Sequence, residues 1–345
     1  MLGKVEREKL FVENGSILLE KLIASCSSRS IPIRSFSIEE LLKATNNYDP
    51  FLRFHENGSY QWYKGSLEGR LISVKKYRNI LYAEERDFPF TDMVICAKII
   101  RSDYERRITL ATSPHKCLET PSPVLVYESA ENGTLSDRIN ASNPQTRPMP
   151  WKSKLKVARE IAHAIAYLHT AFSRPIIHRD IKPGNIFFDQ RDIPKLSDFS
   201  MSIPIPEGEF EVKDDVVGTI SIICPRYLAK GIVTEKSDVY SFGSLFLEVV
   251  TGKTVRELYE TASARSCLQK LLYNGFTNFE DYIRTNIVKK IVESAIQAGE
   301  GEAGLEQQLQ ASQELALICR DENPEFRLTM IDVTKELRWI ERSIP

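Results

Sequence analysis

Long apolar runs are missing from this chain of 345 residues; no stretch of 18 apolar residues occurs, so no membrane-spanning helix is expected. The opening MLGKVEREKLF has no apolar region ahead of a cleavage site, so no secretory signal is expected either. Myristoylation needs glycine directly after Met1, where Leu2 stands and Gly3 comes one place late. Paired cysteines are absent. Cys26, Cys96, Cys117, Cys224, Cys267 and Cys319 lie far apart with no CxxC, which argues against zinc and a disulfide framework and for a reducing compartment. There is no excess of either charge: 46 Lys and Arg face 47 Asp and Glu, so nothing draws the chain generally to nucleic acid or an anionic membrane. Glycosylation-like triplets at Asn14, Asn57 and Asn132 then read as local turns and chance matches. These absences leave a cytosolic reading. With 42% apolar and 27% charged residues the chain can bury a sizeable core, as one large two-lobed domain or two ordinary ones.

Periodicity places the elements. GSILLEKLIAS (15–25) sets Leu18, Leu19, Leu22 and Ile23 at helical spacing, either to pack on the main body or to dock a partner. Ser37 with Glu40 is a capping-box signature, so a helix begins near residue 38. Residues 60–76 read as a hairpin around Leu67-Glu68-Gly69-Arg70, residues 91–100 as a helix, and VLVYE (124–128) as a short strand. In WKSKLKVAREIAHAIAYLHT, Leu155, Ala158, Ile161, Ala162, Ile165 and Leu168 form one apolar stripe. Beyond residue 235 the pattern is mainly helical, and the polar, glycine-dotted piece 295–310 reads as a mobile connection. Strands with one helix, followed by a helical majority, give an α+β organisation.

The chemistry-bearing residues come in a recognisable order. His178-Arg179-Asp180 followed by Asn185 fits H-R-D-x-x-x-x-N, the catalytic loop of phosphoryl transfer. Asp180 would accept the proton of an attacking hydroxyl, Lys182 would steady the phosphate, and Asn185 would hold a magnesium ion. Asp198, in KLSDFS, stands where the main magnesium ligand belongs. Lys75 ends a strand as in V-A-I-K and would pair with nucleotide phosphates, while Lys76 should point to the opposite face. Asp92 is the best-spaced counter-ion for Lys75, one methylene shorter than the usual glutamate; the pair would be longer, or the helix drawn inward. Glu84 and Glu85 are alternatives. Asp238, in SDVYSFG, would cap the backbone of the catalytic loop.

Several expected features are lost. The G-x-G-x-x-G positions of a phosphate loop hold His55, Asn57 and Tyr60, with Gly58 out of register, so bulky side chains should hold off or fill the phosphate space, and a structural hairpin tip is the preferred reading. D-F-G reads D-F-Ser200, which restricts the segment and adds a hydroxyl. Cys224-Pro225-Arg226 replaces A-P-E, so Arg226 would face Arg327 as a like-charge pair unless the segment takes another path or each arginine finds an acid.

Together ATNNY, WYKG, VLVYESAENGTL, AIAYLHT, IIHRDIKPGNI, KLSDFS, VTEKSDVYSFG and ELALICRDENPEFRLTM resemble the plant receptor-like cytoplasmic kinases over roughly residues 36–340. The opening NGSILLEKLIASC…IPIRSFSIEELLKATNNY and KLSDFSMSIPIPEGE resemble the ZED-related pseudokinases within that group. The resemblance implies a bilobal protein-kinase-like fold: an N-terminal extension (1–35), a β-rich N-lobe (36–127), a hinge (128–133) and a helical C-lobe (134–345). It implies Tyr127 as gatekeeper and Glu128 to Ala130 as the segment that bonds adenine. The family's cofactors are ATP and Mg2+, and the retained Lys75, Asp180, Asn185 and Asp198 leave nucleotide binding and slow transfer open. As implied partners it brings a leucine-rich-repeat NLR immune receptor, and other receptor-like cytoplasmic kinases or bacterial effectors. The implied task is an adaptor in plant innate immunity with vestigial catalysis; the alternative is an active or weakly active serine/threonine kinase using Mg-ATP. The implied location is cytoplasmic, with peripheral plasma-membrane association in a complex left open and Cys26 as the palmitoylation candidate.

Overall fold

The computed structural model describes residues 3–25, 34–78, 87–100, 115–128, 132–139, 149–262, 283 and 304–343. It divides into two compact units, residues 1–133 with 187–202, and residues 134–186 with 203–345. The 187–202 segment thus returns to the first unit although it follows the catalytic loop in sequence.

In the first unit, helix α1 (Lys4–Ser25) precedes α2 (Ile38–Ala44), then β1 (Arg53–Glu56), β2 (Tyr60–Leu67), β3 (Arg70–Tyr77), α3 (Phe88–Ile100), β4 (His115–Cys117) and β5 (Val124–Glu128). The strands form one antiparallel sheet in the order β1-β2-β3-β5-β4. The β2–β3 register is set by the turn: Glu68 and Gly69 both take positive φ, 52° and 75°, as a two-residue hairpin turn with the strands' own twist requires. That register puts Trp62 opposite Lys75 and Tyr60 opposite Tyr77, all on one face. The other face buries Phe36, Leu41, Tyr63, Ile72, Val74, Cys117, Val124 and Val126. The Ser37–Glu40 capping box starts α2 as expected.

The N-terminal helix is longer than residues 15–25, and its apolar residues divide. Leu18 is buried, and Asn14 is a buried anchor whose amide donates to the carbonyls of Leu118 and Thr120 at 2.9 and 3.0 Å. Leu19 and Ile23 are exposed, 58% and 70%, so only part of the expected stripe packs on its own unit.

The second unit holds α4 (Leu135–Ile139), α5 (Trp151–Thr170), α6 (Pro225–Lys230), α7 (Glu235–Thr251), α8 (Leu305–Cys319) and α9 (Met330–Arg342). The expected α5 stripe is buried throughout. Residues 235–250 of α7 are almost entirely buried, and it approaches α8 so closely that a Cβ on Gly243 would lie 2.8 Å from the Ala316 carbonyl oxygen. The connection expected over 295–310 is corrected from residue 305 onward; 295–303 lie outside the described residues. Leu305 and Leu309 are buried in the first turns of α8, and Gln308 accepts from the Trp151 indole at 2.7 Å while donating to the Ile340 carbonyl at 2.6 Å. A polar composition read as mobile is here a buried, hydrogen-bonded polar contact. Among the described residues no helix is long and apolar enough to cross a membrane.

Candidate functional site

Lys75 sits mid-sheet in β3, where strand alternation sends it to the face opposite Lys76. Its ammonium is fully buried and lies 2.7 Å from Asp92 Oδ2 and 2.5 Å from Asp198 Oδ1. Of the two expected outcomes, a longer pair or a helix drawn inward, this distance excludes the first. Helix α3 is held inward because the Phe199 amide donates to Asp92 Oδ1 at 3.2 Å, while the hydroxyls of Tyr77 and Tyr127 reach Asp92 Oδ2 at 3.1 and 3.2 Å. Glu84 and Glu85 lie outside the described residues, as does Ala130; Glu128 is the last residue of β5.

Asp198 is the second focus. The Tyr60 hydroxyl donates to its Oδ2 at 2.8 Å and the Ser200 hydroxyl to its Oδ1 at 2.7 Å. The D-F-S serine costs no backbone strain, since the positive φ falls on Asp198 (64°) and not on Ser200. Burial by itself would raise the Asp198 pKa. The Lys75 charge, with hydrogen bonds from Lys75, Ser200 and Tyr60, outweighs it and holds the carboxyl well below the usual range. Burial likewise opposes charge on Lys75, but Asp198 and Asp92 outweigh it and raise its pKa.

Aromatic rings close the rest. The Lys75 ammonium lies 4.2 Å from the Tyr60 ring centre and 4.9 Å from that of Tyr77. Trp62, with no exposed surface, packs its ring 5.0 Å from Tyr127 and 5.1 Å from Phe187, and His55 meets Phe187 at 5.7 Å. Asn57 accepts from the amides of Ser59 and Tyr60 at 2.9 Å, making the glycine-poor loop an ordinary tight turn. This donor set does not fit a metal–phosphate group: both oxygens of Asp198 are in use, Lys75 is enclosed by two acids and two rings, and the Tyr60 side chain lies where a glycine would have left room. Hairpin register alone could have flagged Trp62 as Lys75's neighbour; the closure by Tyr60 onto Asp198 spans 138 residues and has no local sequence signal.

The second unit holds the catalytic-loop residues. Asp180 is 1% exposed. Its Oδ1 accepts from Thr219 at 2.7 Å, and its Oδ2 lies 2.7 Å from Lys182 and 2.9 Å from the Asn185 amide. Lys182 also donates to Thr219 at 2.9 Å. Asp238 accepts from the amides of His178 and Arg179 at 2.8 and 3.0 Å and contacts His169 Nε2 at 2.9 Å, the capping expected of it. Thr219 was missed in sequence because nothing local marks it; Gly218 beside it could have hinted, since a Cβ there would lie 2.7 Å from the Arg179 carbonyl oxygen.

The arginine clash expected at Cys224-Pro225-Arg226 does not arise. Arg226 pairs with Glu211 at 2.9 Å. Arg327, 2% exposed, donates to the carbonyls of Asp321, Lys236 and Glu322 and to Cys224 Sγ, so backbone dipoles replace an acid. Farther up the segment, the Arg179 guanidinium meets Asp214 Oδ2 at 2.6 Å and the Tyr227 hydroxyl at 3.2 Å. Replacing Asp214 with alanine should speed proteolytic cleavage within residues 203–224 while costing at most about 1 kcal/mol of stability, because Asp214 is half-exposed. Limited proteolysis checks this, and an unchanged cleavage rate would show that the pair does not hold the segment.

A five-stranded antiparallel sheet with one crossover helix, followed by a helical unit with an H-R-D loop, is the architecture of a protein kinase, and the protein kinase domain model matches residues 112–339. Relatives in Arabidopsis thaliana include Serine/threonine-protein kinase ZRK1, 38% identical with 99% of this chain and 95% of that protein covered. Two others are named Non-functional pseudokinase ZRK2 (37%, 98% and 91% covered) and Non-functional pseudokinase ZED1 (35%, 96% of each). The chain belongs to the protein kinase family, within the group that holds ZRK1 and ZED1. That group contains proteins named as kinases and proteins named as pseudokinases.

Proposed function

We propose that this chain is a pseudokinase that serves as a binding adaptor rather than a phosphoryl-transfer enzyme. One observation carries the catalytic half of this reading: Tyr60 and Ser200 occupy Asp198 while Lys75 is fully buried between Asp92 and Asp198. Lys75, Asp92, Tyr127 and Asp198 then act as a structural core, and the nucleotide and metal roles of Lys75, Tyr127, Glu128, Ala130, Asn185 and Asp198 are vestigial. The names of ZED1 and ZRK2 support the pseudokinase half, and the adaptor half rests on the family resemblance read from the sequence. On that basis the partner is a leucine-rich-repeat NLR receptor in plant innate immunity, with effectors or effector-modified kinases as the signal.

A second reading has its own support: Asp180, Lys182, Asn185 and Thr219 form a satisfied loop of the kind phosphoryl transfer needs, and ZRK1 carries a kinase name. Transfer of labelled phosphate separates the two. The adaptor reading expects no transfer above the Asp180→Asn background with Mg-ATP, together with retention on a panel of NLR repeat domains. Transfer that disappears in Asp180→Asn would establish a kinase. No retention on any member of the panel would sink the adaptor.

A further inference from the structure

On the sheet face opposite Lys75 lies a cavity of about 490 Å3, within the ordinary size of small-ligand pockets. All the residues lining it are described ones. Ile38, Leu42, Pro121 and Val124 supply an apolar wall. Among the described residues, three groups on the lining residues lack the partners their chemistry calls for: the Arg7 Nε, the Tyr48 hydroxyl and the Lys76 ammonium. The Tyr48 hydroxyl is buried and, among the described residues, has no hydrogen-bond partner. A buried hydroxyl with nothing to bond is costly. Lys76 is half-buried and, among the described residues, has no carboxylate partner; its ammonium rests 4.2 Å from the Tyr48 ring centre. Burial pushes its pKa down, as expected for a cation that loses water and gains only a ring.

The other charges on the wall have partners at their ends. Arg7 pairs with Glu39, and Glu119 accepts from the Ile38 amide at 3.0 Å. The position of Tyr48 is itself enforced: Asn46, Asn47 and Tyr48 take successive positive φ values of 49°, 59° and 57°, and for a bulky tyrosine that is an outlier. Strain of this sort persists where the surroundings over-determine it.

We propose that this cavity binds a small organic monocarboxylate with an apolar body, its carboxylate on Lys76 beside the Tyr48 ring. The lining carries two cations, Arg7 and Lys76, and two carboxylates, Glu39 and Glu119; with Arg7 on Glu39, Lys76 faces Glu119 alone and no net positive charge is left to hold a dianion such as a phosphate monoester, so a singly charged ligand fits better. The apolar wall takes the aryl or alkyl part. Alternation along β3 places Lys76 on the face opposite the Lys75 cluster, and Tyr77 is the lining residue that both share. It stands or falls independently of the adaptor reading.

The test is protein-observed methyl NMR titration of the full chain with three probes, benzoate, 4-phenylbutyrate and octanoate, each against its neutral alcohol. Methyl shifts of Ile38, Leu42 and Val124 report the location. At least one carboxylate should bind saturably in the millimolar range, roughly tenfold tighter than its alcohol. Lys76→Met should bring acid and alcohol together, Lys76→Arg should retain the preference, and Leu42→Trp should fill the cavity and abolish binding. Circular dichroism confirms that each variant is folded, and the Lys76 pair decides the outcome if Leu42→Trp is not. Absence of saturation by all three acids overturns the proposal. So does an acid preference that survives Lys76→Met, or probe binding that moves none of the three methyl groups.

Discussion

Lys75→Met is expected to lower the folding free energy by about 3–5 kcal/mol, because it leaves two buried carboxylates without their cation. In an open nucleotide site the same lysine would be solvated and its loss would cost little. Here the ammonium has no exposed surface and touches both Asp92 and Asp198. Urea denaturation of wild type and variant measures the difference, and a loss below about 1 kcal/mol would show that the cluster is open in solution. The pH dependence follows from the same geometry. In the wild type Asp198 is held below its usual range, so its contribution is present above the unfolded carboxylate value of about 3.9 and is lost as pH falls from there through the lower folded value. Lys75, raised, contributes at any pH below about 10.5 and loses that contribution only beyond it. In Lys75→Met the sign reverses for Asp198. A buried carboxylate without a cation is favoured in its protonated form, so the folded state binds more protons than the unfolded one. The deficit relative to wild type should therefore shrink as pH falls from about 7 to about 5. Adding Asp198→Asn to Lys75→Met should recover part of the loss at neutral pH.

Tyr60→Ala carries the second large effect, a loss of about 3–5 kcal/mol, the usual cost of deleting a buried aromatic ring. Tyr60 is 2% exposed and its hydroxyl binds Asp198, so Tyr60→Phe isolates the hydroxyl and should cost only about 1–3 kcal/mol. The alanine variant also removes the ring beside Lys75 and frees one oxygen of Asp198. Calorimetric titration with Mg-ATP at low temperature should find no saturable binding to wild type and weak binding to Tyr60→Ala. Saturable binding to wild type that is lost in Lys75→Met would mean that Tyr60 swings away in solution, and the kinase reading would gain accordingly. A Tyr60→Ala protein as stable as wild type would contradict the packing itself.

Much of the architecture was legible locally. The capping box at Ser37 and Glu40, the hairpin at Glu68-Gly69, the α5 stripe and the H-R-D loop with its Asp238 cap rest on short-range periodicity, turn geometry and adjacent motif residues. The losses at His55, Asn57, Tyr60 and Ser200 were equally visible as departures from a pattern. Their consequence was not. Whether Ser200 obstructs or joins the cluster depends on where its hydroxyl points, and it points at Asp198. Residues 305–310 read as loose because glutamines dominate them, yet Gln308 is paired with Trp151, 157 positions away. Arg327 looked set to clash because its backbone-carbonyl partners at Asp321, Glu322 and Lys236 are invisible to motif reading.

Residue pattern alone settled the kinase-like class, the order of its elements and the identity of the residues that phosphoryl transfer would require, because helix and strand periods and a contiguous loop motif are properties of neighbouring residues. Three-dimensional packing settled whether those residues are available. Lys75, Asp92, Tyr60 and Asp198 come from four separate segments, and a buried charge is held or freed by what surrounds it in space.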